Sequence, residues 1–490
     1  MATPSAGTVS WVAPAGTPLF AGWEVARVTT PTGEVSLKAP RTSSVSQVLA
    51  PVGTAVNAGA NVVVLVDPSD VGSLQLVVSS RPWVSRDVLT DFESGAGDRV
   101  PIWTDPAIGS PLDVMFAPNG DLWTTGEFGS AMSRWNGTGV DAYDVPLLHK
   151  PDVNGRYVPV NPFSLFGPSS NSRRSALVER VIWADDKVWF TQGGALFGPA
   201  TGNHSRVLSF DPAATDLPHT ENDERYCAVN VPNDGAEVVG LAYDGQRIWY
   251  AEGSFTRTPS VNSFDPDELP CDNLLDFSDP EALAGAVHQY CTEPDDHGCI
   301  RHIEIPGGSG VSNLEFDAED GAIWATEFYA GAMTRVDVAT AAVQRFPIPP
   351  SSRPGTFFGG APWQLRIDED YVYYLDYSDV DLVRFHKDTH VFEELHLPMS
   401  GTDLGGHSIE LVGTRLWFTE GGRDSDGAAV GYVDTADWGP GVTYHGISNL
   451  VDTSRAAVGP ASPAGIAVRS DGTLAVADYF RRQVLLLRPL

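Results

Sequence analysis

One phrase recurs seven times along this chain: an apolar run, then an aromatic residue, then, in most copies, an acid three places later. The copies are DLWTTGE around Trp123, KVWFTQ around Trp189, RIWYAE around Trp249, AIWATE around Trp324, YVYYLD around Tyr373, RLWFTE around Trp417 and TLAVAD around Ala475. Repeats of one small unit that cannot bury its own face predict a closed ring of antiparallel sheets. Forty-nine glycines and 37 prolines at turn spacing agree with an all-β chain. The expectation is a seven-bladed β-propeller over residues 99–490.

The markers from Trp123 onward lie 66, 60, 75, 49, 44 and 58 residues apart. A four-stranded blade needs about 40–45 residues, so the excess predicts inserted loops near 137–175 and 254–300. The second insertion holds DPEALAGAVHQYC, with Ser278 and Pro280 placed to start a short helix. Loops of this length usually carry function, and this one is placed to cover one end of the ring. The last unit offers three strands, near 464–469, 473–478 and 483–489, and then the chain stops. A strand near 99–104, in GDRVPIWTDP, is expected to supply the fourth and close the ring.

Residues 1–67 read as short strands punctuated by Gly and Pro. GTPLFAG, LKAP and GTAVNAG in this order resemble the biotinyl/lipoyl domain family, a small β-barrel. The family's modified lysine sits at a hairpin tip, which here is Pro31-Thr32-Gly33, with Thr32 in the lysine's place. Threonine cannot form the amide, so the resemblance implies no biotin or lipoate, and a docking module for a protein partner instead. Residues 68–98 read as a linker.

The net charge of -32 argues against nucleic acid, because nothing would neutralise phosphates. Such a charge serves solubility, and part of it can serve a cation. No apolar stretch is long enough to span a membrane, and no signal peptide is visible in MATPSAGTVSW. Cys227, Cys271, Cys291 and Cys299 fit no zinc spacing and allow two disulfides. A cytoplasmic location is expected, with secretion as the alternative.

Within each unit the start of the first strand and the end of the second must share one face of the ring. The second-strand ends are Gly126, Gln192, Glu252, Glu327, Asp376, Glu420 and Asp478. The first-strand starts are Leu112, Glu179, Val239, Asn313, Trp363, His407 and Ala464. Acids converging on one mouth repel at low dielectric unless a cation joins them. Hard oxygen donors favour Mg²⁺ or Ca²⁺, with Glu179, Asn313, Glu327, Asp376, Glu420 and Asp478 as expected ligands. Phe328, Tyr329, Tyr377 and Tyr479 follow the acids, and Glu127 and Phe128 hold the matching place in the first unit. With Trp363 they predict a rim for a partly aromatic small molecule.

LWFTEGG at 416–422, IWATEFYAGAMTRVDVATAAVQRFPIP at 323–349 and PAGIAVRSDGTLAVAD at 463–478 resemble the streptogramin B (virginiamycin B) lyase family. The resemblance implies a seven-bladed propeller and a Mg²⁺-assisted elimination. A base removes a proton α to a carbonyl, and a carboxylate departs from the β-carbon. The family's catalytic His opens a first strand, a place held here by His407, and Glu420 stands nearest to its neighbouring acid. Gly405, Gly421 and Trp363 stand where the family has Glu, another acid and a second His. These departures argue against streptogramins and for another cyclic, ester- or lactone-containing natural product, in antibiotic resistance or in biosynthesis. A gluconolactonase-like metal-dependent hydrolase and a non-catalytic scaffold are the alternatives. No nucleophile elbow, P-loop or dinucleotide fingerprint occurs in a fitting context.

Overall fold

The computed structural model describes residues 6–12, 18–19, 24–38, 43–66, 75–78, 100–103, 111–126, 131–136, 140–145, 149–151, 157–159, 178–192, 205–213, 225–232, 237–253, 258–269, 289–292, 298–349, 360–377, 381–397, 408–420, 429–438, 443–446, 462–479 and 483–487. Its described elements are β-strands apart from one 3₁₀ turn, Thr435–Asp437. Residues 278–288 of the expected helix, Glu127, Phe128 and His407 lie outside the described residues, and Tyr290 forms an isolated bridge with Ile300.

Each repeated phrase forms the second strand of an antiparallel sheet. We number the sheets 1 to 7 in chain order. Their first strands are Pro111–Phe116, Val178–Ala184, Glu237–Tyr243, Val311–Asp317, Pro362–Ile367, Ile409–Val412 and Pro463–Val468. Their second strands are Leu122–Gly126, Lys187–Gln192, Ile248–Gly253, Ala322–Glu327, Tyr371–Asp376, Arg415–Glu420 and Leu474–Asp478. Third and fourth strands follow outward in chain order, except in sheet 7. There Val100–Trp103 pairs antiparallel with Gln483–Leu487, so a strand that precedes sheet 1 in the chain completes the last sheet. The first strands adjoin in cyclic order, and that of sheet 7 returns to that of sheet 1. This is the arrangement of a β-propeller.

The core lies between sheets, not within one. Trp123 and Met132 of sheet 1 pack with Phe190, Phe210 and Tyr226 of sheet 2. Trp324 of sheet 4 packs with Tyr374, Phe385 and Phe392 of sheet 5. Each buried Trp removes about 150–250 Å² from water, worth roughly 4–6 kcal/mol before entropy is counted. The contact of sheet 7 with sheet 1 is built differently, from Ala467, Ala475 and Ala477 against Val114 and Leu122. Ala475 replaces the tryptophan where the two ends of the propeller chain close.

The segment read as a linker contributes a strand. Gln75–Val78 pairs parallel with Val391–His396, giving sheet 5 a fifth strand. A short apolar run supplies the backbone pairing that the open edge offers. Within the expected insertion near 137–175, His149–Pro151 and Tyr157–Pro159 form a two-stranded hairpin. In the N-terminal region, one sheet of four strands and one of three hold a core of Val9, Val25, Val28, Val62 and Val63. The hairpin of Glu24–Thr30 with Gly33–Lys38 turns at Pro31 and Thr32.

Candidate functional site

The repeated phrase has a job for each of its letters. The aromatic fills the space between sheets. The residue before the acid is a threonine in sheets 1, 2, 4 and 6, and it answers an irregularity in the first strand. Six of the seven first strands carry a register shift near their start, where two residues oppose one on the second strand. Such a bulge takes an N–H out of the ladder and re-aims side chains. Asp113 N–H donates to Thr125 Oγ1 at 3.3 Å, Arg180 N–H to Thr191 Oγ1 at 3.1 Å and Ser408 N–H to Thr419 Oγ1 at 3.0 Å. In sheet 4 the hydroxyls of Ser312 and Thr326 meet at 2.9 Å.

The acid latches the loop that leads into the same sheet. Ser309 N–H donates to Glu327, Ala361 N–H to Asp376 and Ser462 N–H to Asp478. The next residue repeats a backbone bond, from Phe328 N–H to Gly310 O, from Tyr377 N–H to Ala361 O and from Tyr479 N–H to Ser462 O. The third or fourth strand completes the shell. Arg345 Nε and Nη2 each donate at 2.7 Å to Glu327, which also accepts from Thr334. Gln483 donates to Asp478 at 2.9 Å, and Arg206 to Gln192 at 2.5 Å. In sheet 3 the hydroxyl of Tyr290 donates to Glu252 at 2.7 Å. Tyr290 adjoins the Cys291–Cys299 disulfide, and Cys227 is disulfide-bonded as well.

These bonds bear on the expected metal centre. Glu327 and Asp478 spend both carboxylate oxygens on protein donors. Among the described residues no three His, Cys, Asp or Glu side chains converge as a metal site. Glu327 and Asp478 therefore hold no carboxylate oxygen free of a protein donor. Glu420 is buried at the end of its second strand, and Glu179 lies in a first strand with its side chain outside the described set. Asn313 is displaced by one place. The bulge of sheet 4 falls between Val311 and Asn313, which pairs with Thr326, so Ser312 occupies the slot of Leu112 and Trp363.

The expected aromatics do assemble. Phe328 lies 4.9 Å from Tyr329, 5.3 Å from Trp363 and 5.6 Å from Tyr377, and Trp363 lies 5.8 Å from Tyr377. All four rings are half-buried. Tyr329 is seated on Gly310, where a Cβ would come within 2.0 Å of its ring. Trp363 is held by its carbonyl, which accepts from Thr326 at 2.9 Å and from Ser312 at 3.2 Å. Tyr479, two sheets further on, repeats their backbone bond, to Ser462 O.

Facing the rings is a residue that the sequence reading passed over. Arg180 of sheet 2 sets its guanidinium carbon 5.8 Å from the Trp363 ring of sheet 5, across the ring of first strands. That is cation–π range. Asp113 lies 4.0 Å from Arg180 and accepts the Val181 N–H at 3.2 Å. Burial pushes the Asp113 carboxyl up, with Arg180 opposing. Two residues deeper, Arg366 donates through Nε and Nη2 to Glu410 at 2.9 and 2.6 Å and lies 3.7 Å from Glu315. Burial, with Glu410 adding to it, raises the Glu315 carboxyl to about 8 against the pull of Arg366. The signal for this group was a charged residue in an innermost strand that is otherwise apolar or small.

No protein-family model and no curated protein matches the chain. Among solved structures, a streptogramin B lyase matches 79% of this chain and 96% of its own, at 15% identity and a TM-score of 0.51. An inactivated virginiamycin B lyase from Staphylococcus aureus, crystallised with quinupristin, matches 80% of this chain and 99% of its own, at 17% identity and 0.51. At these identities the likeness establishes the propeller fold alone. Nothing in these comparisons supports the biotinyl/lipoyl reading of the N-terminal region.

Proposed function

We propose that the seven sheets form one seven-bladed propeller whose mouth binds an ester- or lactone-containing small molecule and cleaves it by elimination. The observation that carries this reading is the half-buried aromatic group of Phe328, Tyr329, Trp363 and Tyr377, gathered at one end with a buried guanidinium opposite. Apolar rings with one convergent polar group are the usual make-up of a small-molecule site. His407 is the proposed base. It directly precedes Ser408, whose N–H is held by Thr419 and whose hydroxyl donates to Gln364 at 2.7 Å. A neutral imidazole takes a proton near pH 7.

In the proposed step the C–H bond α to a carbonyl breaks, a C=C bond forms, and the ester C–O bond on the β-carbon breaks. The proton passes to His407 and the carboxylate leaves. No water is consumed. Glu327 and Asp478 are committed to protein donors, and no step is routed through Mg²⁺ or Ca²⁺. Mass spectrometry of products from a panel of cyclic depsipeptides and lactones tests the reading. Ring opening without a gain in mass, lost in H407A, supports elimination. A gain of one water identifies a hydrolase, and no turnover of any member leaves only a binding propeller. The disulfide at Cys291–Cys299 and the bonded Cys227 favour an oxidising compartment over the cytoplasm. Thiol titration of protein taken from its native source checks this.

A further inference from the structure

We propose that the mouth selects a planar aromatic carboxylate, its anion on Arg180 and its ring against Trp363, Phe328 and Tyr377. The inference rests on reading the mouth as a small-molecule site, and it names the ligand chemistry. Arg180 is only 8% exposed, so its charge is largely withdrawn from water and an arriving carboxylate meets it at low dielectric. A guanidinium presents a planar fork that matches a carboxylate with two hydrogen bonds. The ring faces are already arranged at edge and tilted angles, with Trp363 fixed by its carbonyl, so little ordering remains to be done on binding.

The charged groups around this point are paired. The described titratable groups nearest Arg180 and one layer deeper are Asp113, Glu315, Arg366 and Glu410. Burial raises both Asp113 and Glu315 toward their neutral forms, while Arg366 is held charged by Glu410. Among the described residues, the cation in contact range of the Trp363 ring is Arg180.

The test uses the full chain with 2-naphthoate and its neutral match, 2-naphthamide, followed by calorimetry and saturation-transfer NMR. Naphthoate should bind about tenfold or more tighter than the amide, the scale of one charge-assisted contact. Added salt should narrow the gap. R180M should bring the acid down to the level of the amide and leave the amide unchanged, R180K should restore part of the preference, and W363A should weaken both ligands. Equal binding of acid and amide by the wild type overturns the proposal. So does a preference that survives in R180M, or indifference of both ligands to W363A. If R180M fails to fold, R180Q, which keeps the length and removes the charge, gives the same reading. Naphthoate binding without turnover of any ester rejects the elimination and keeps this inference; elimination without preference for the acid does the reverse.

Discussion

The second strands and the first strands of this propeller divide the work unequally. The second strands are nearly copies of one another, and their repeated acids look like a catalytic ring. They are latches. Glu327, Asp376 and Asp478 each accept an N–H from the loop leading into their own sheet. The first strands vary at the bulge, and that slot holds Asp113, Arg180, Gly240, Asn313, Gln364, Ser408 and Gly465. Some of these join neighbouring sheets. Ile409 N–H donates to Gln364 at 2.8 Å, and Ile466 N–H to Ser408 at 3.1 Å. Arg180 instead faces the aromatic mouth. A repeated residue is kept by what every repeat needs, which is folding. Function can afford to be present once.

The largest expected effect breaks a latch. Arg345→Ala removes the partner of a fully buried carboxylate and should cost about 3–5 kcal/mol. Urea denaturation measures this, and the double variant R345A/E327Q should recover part of it. If Glu327 instead held a functional metal, E327Q alone would release a stoichiometric divalent ion, which elemental analysis would detect.

A first-strand charge predicts a pH effect. The Glu315 carboxyl, raised from 4.5 to about 8, binds a proton in the folded state that the unfolded chain has already lost. Its contribution is therefore greatest below pH 4.5 and declines as pH rises toward 8, by at most about 1.4 kcal/mol per pH unit. E315Q should flatten that part of the stability curve. A curve of unchanged slope would mean that Arg366 keeps Glu315 ionised.

The glycines of the bulge slot sharpen the contrast between structure and site. A Cβ on Gly465 would lie 2.7 Å from Leu112 O, a backbone atom of the adjoining first strand. Gly465→Ala must therefore part sheets 7 and 1 where alanines already let them approach closely, at a cost of roughly 1–3 kcal/mol. Thermal denaturation reads this loss. Binding at the mouth, in sheets 2, 4 and 5, should be unaffected.

Much of the fold was legible because each letter of the phrase answers a need that recurs. Trp123, Trp249 and Trp324 mark cores between sheets, and Val100–Trp103 was readable as the missing strand from the three-stranded last unit. The rim rings were legible for the same reason, since Phe328 and Tyr377 follow the latch in register. The acids are less legible, because a carboxylate that accepts N–H bonds and one that binds a cation look alike in sequence. Their difference lies in donors such as Arg345 and Gln483, which stand outside the phrase. Asn313 was misplaced by one residue because a bulge adds a residue without any mark in composition. Arg180 was passed over because its neighbour Glu179 held the expected slot.

The smallest expected effect joins the two strands. Thr191 accepts the N–H of Arg180, so the repeated threonine of a second strand positions the singular arginine of a first strand. Thr191→Val keeps the shape and removes the acceptor, leaving a buried N–H unpaired at a cost of about 1–3 kcal/mol. The stability loss alone would be unremarkable among core variants. The informative quantity is the ratio of naphthoate to naphthamide affinity, which depends on where the guanidinium points. Thr419→Val breaks the same bond in sheet 6 and should cost similar stability while leaving that ratio unchanged. If both variants shift the ratio equally, the bulges move as one ring. If only T191V shifts it, the first-strand slot of sheet 2 sets ligand choice, and its second strand acts on the ligand only through that slot.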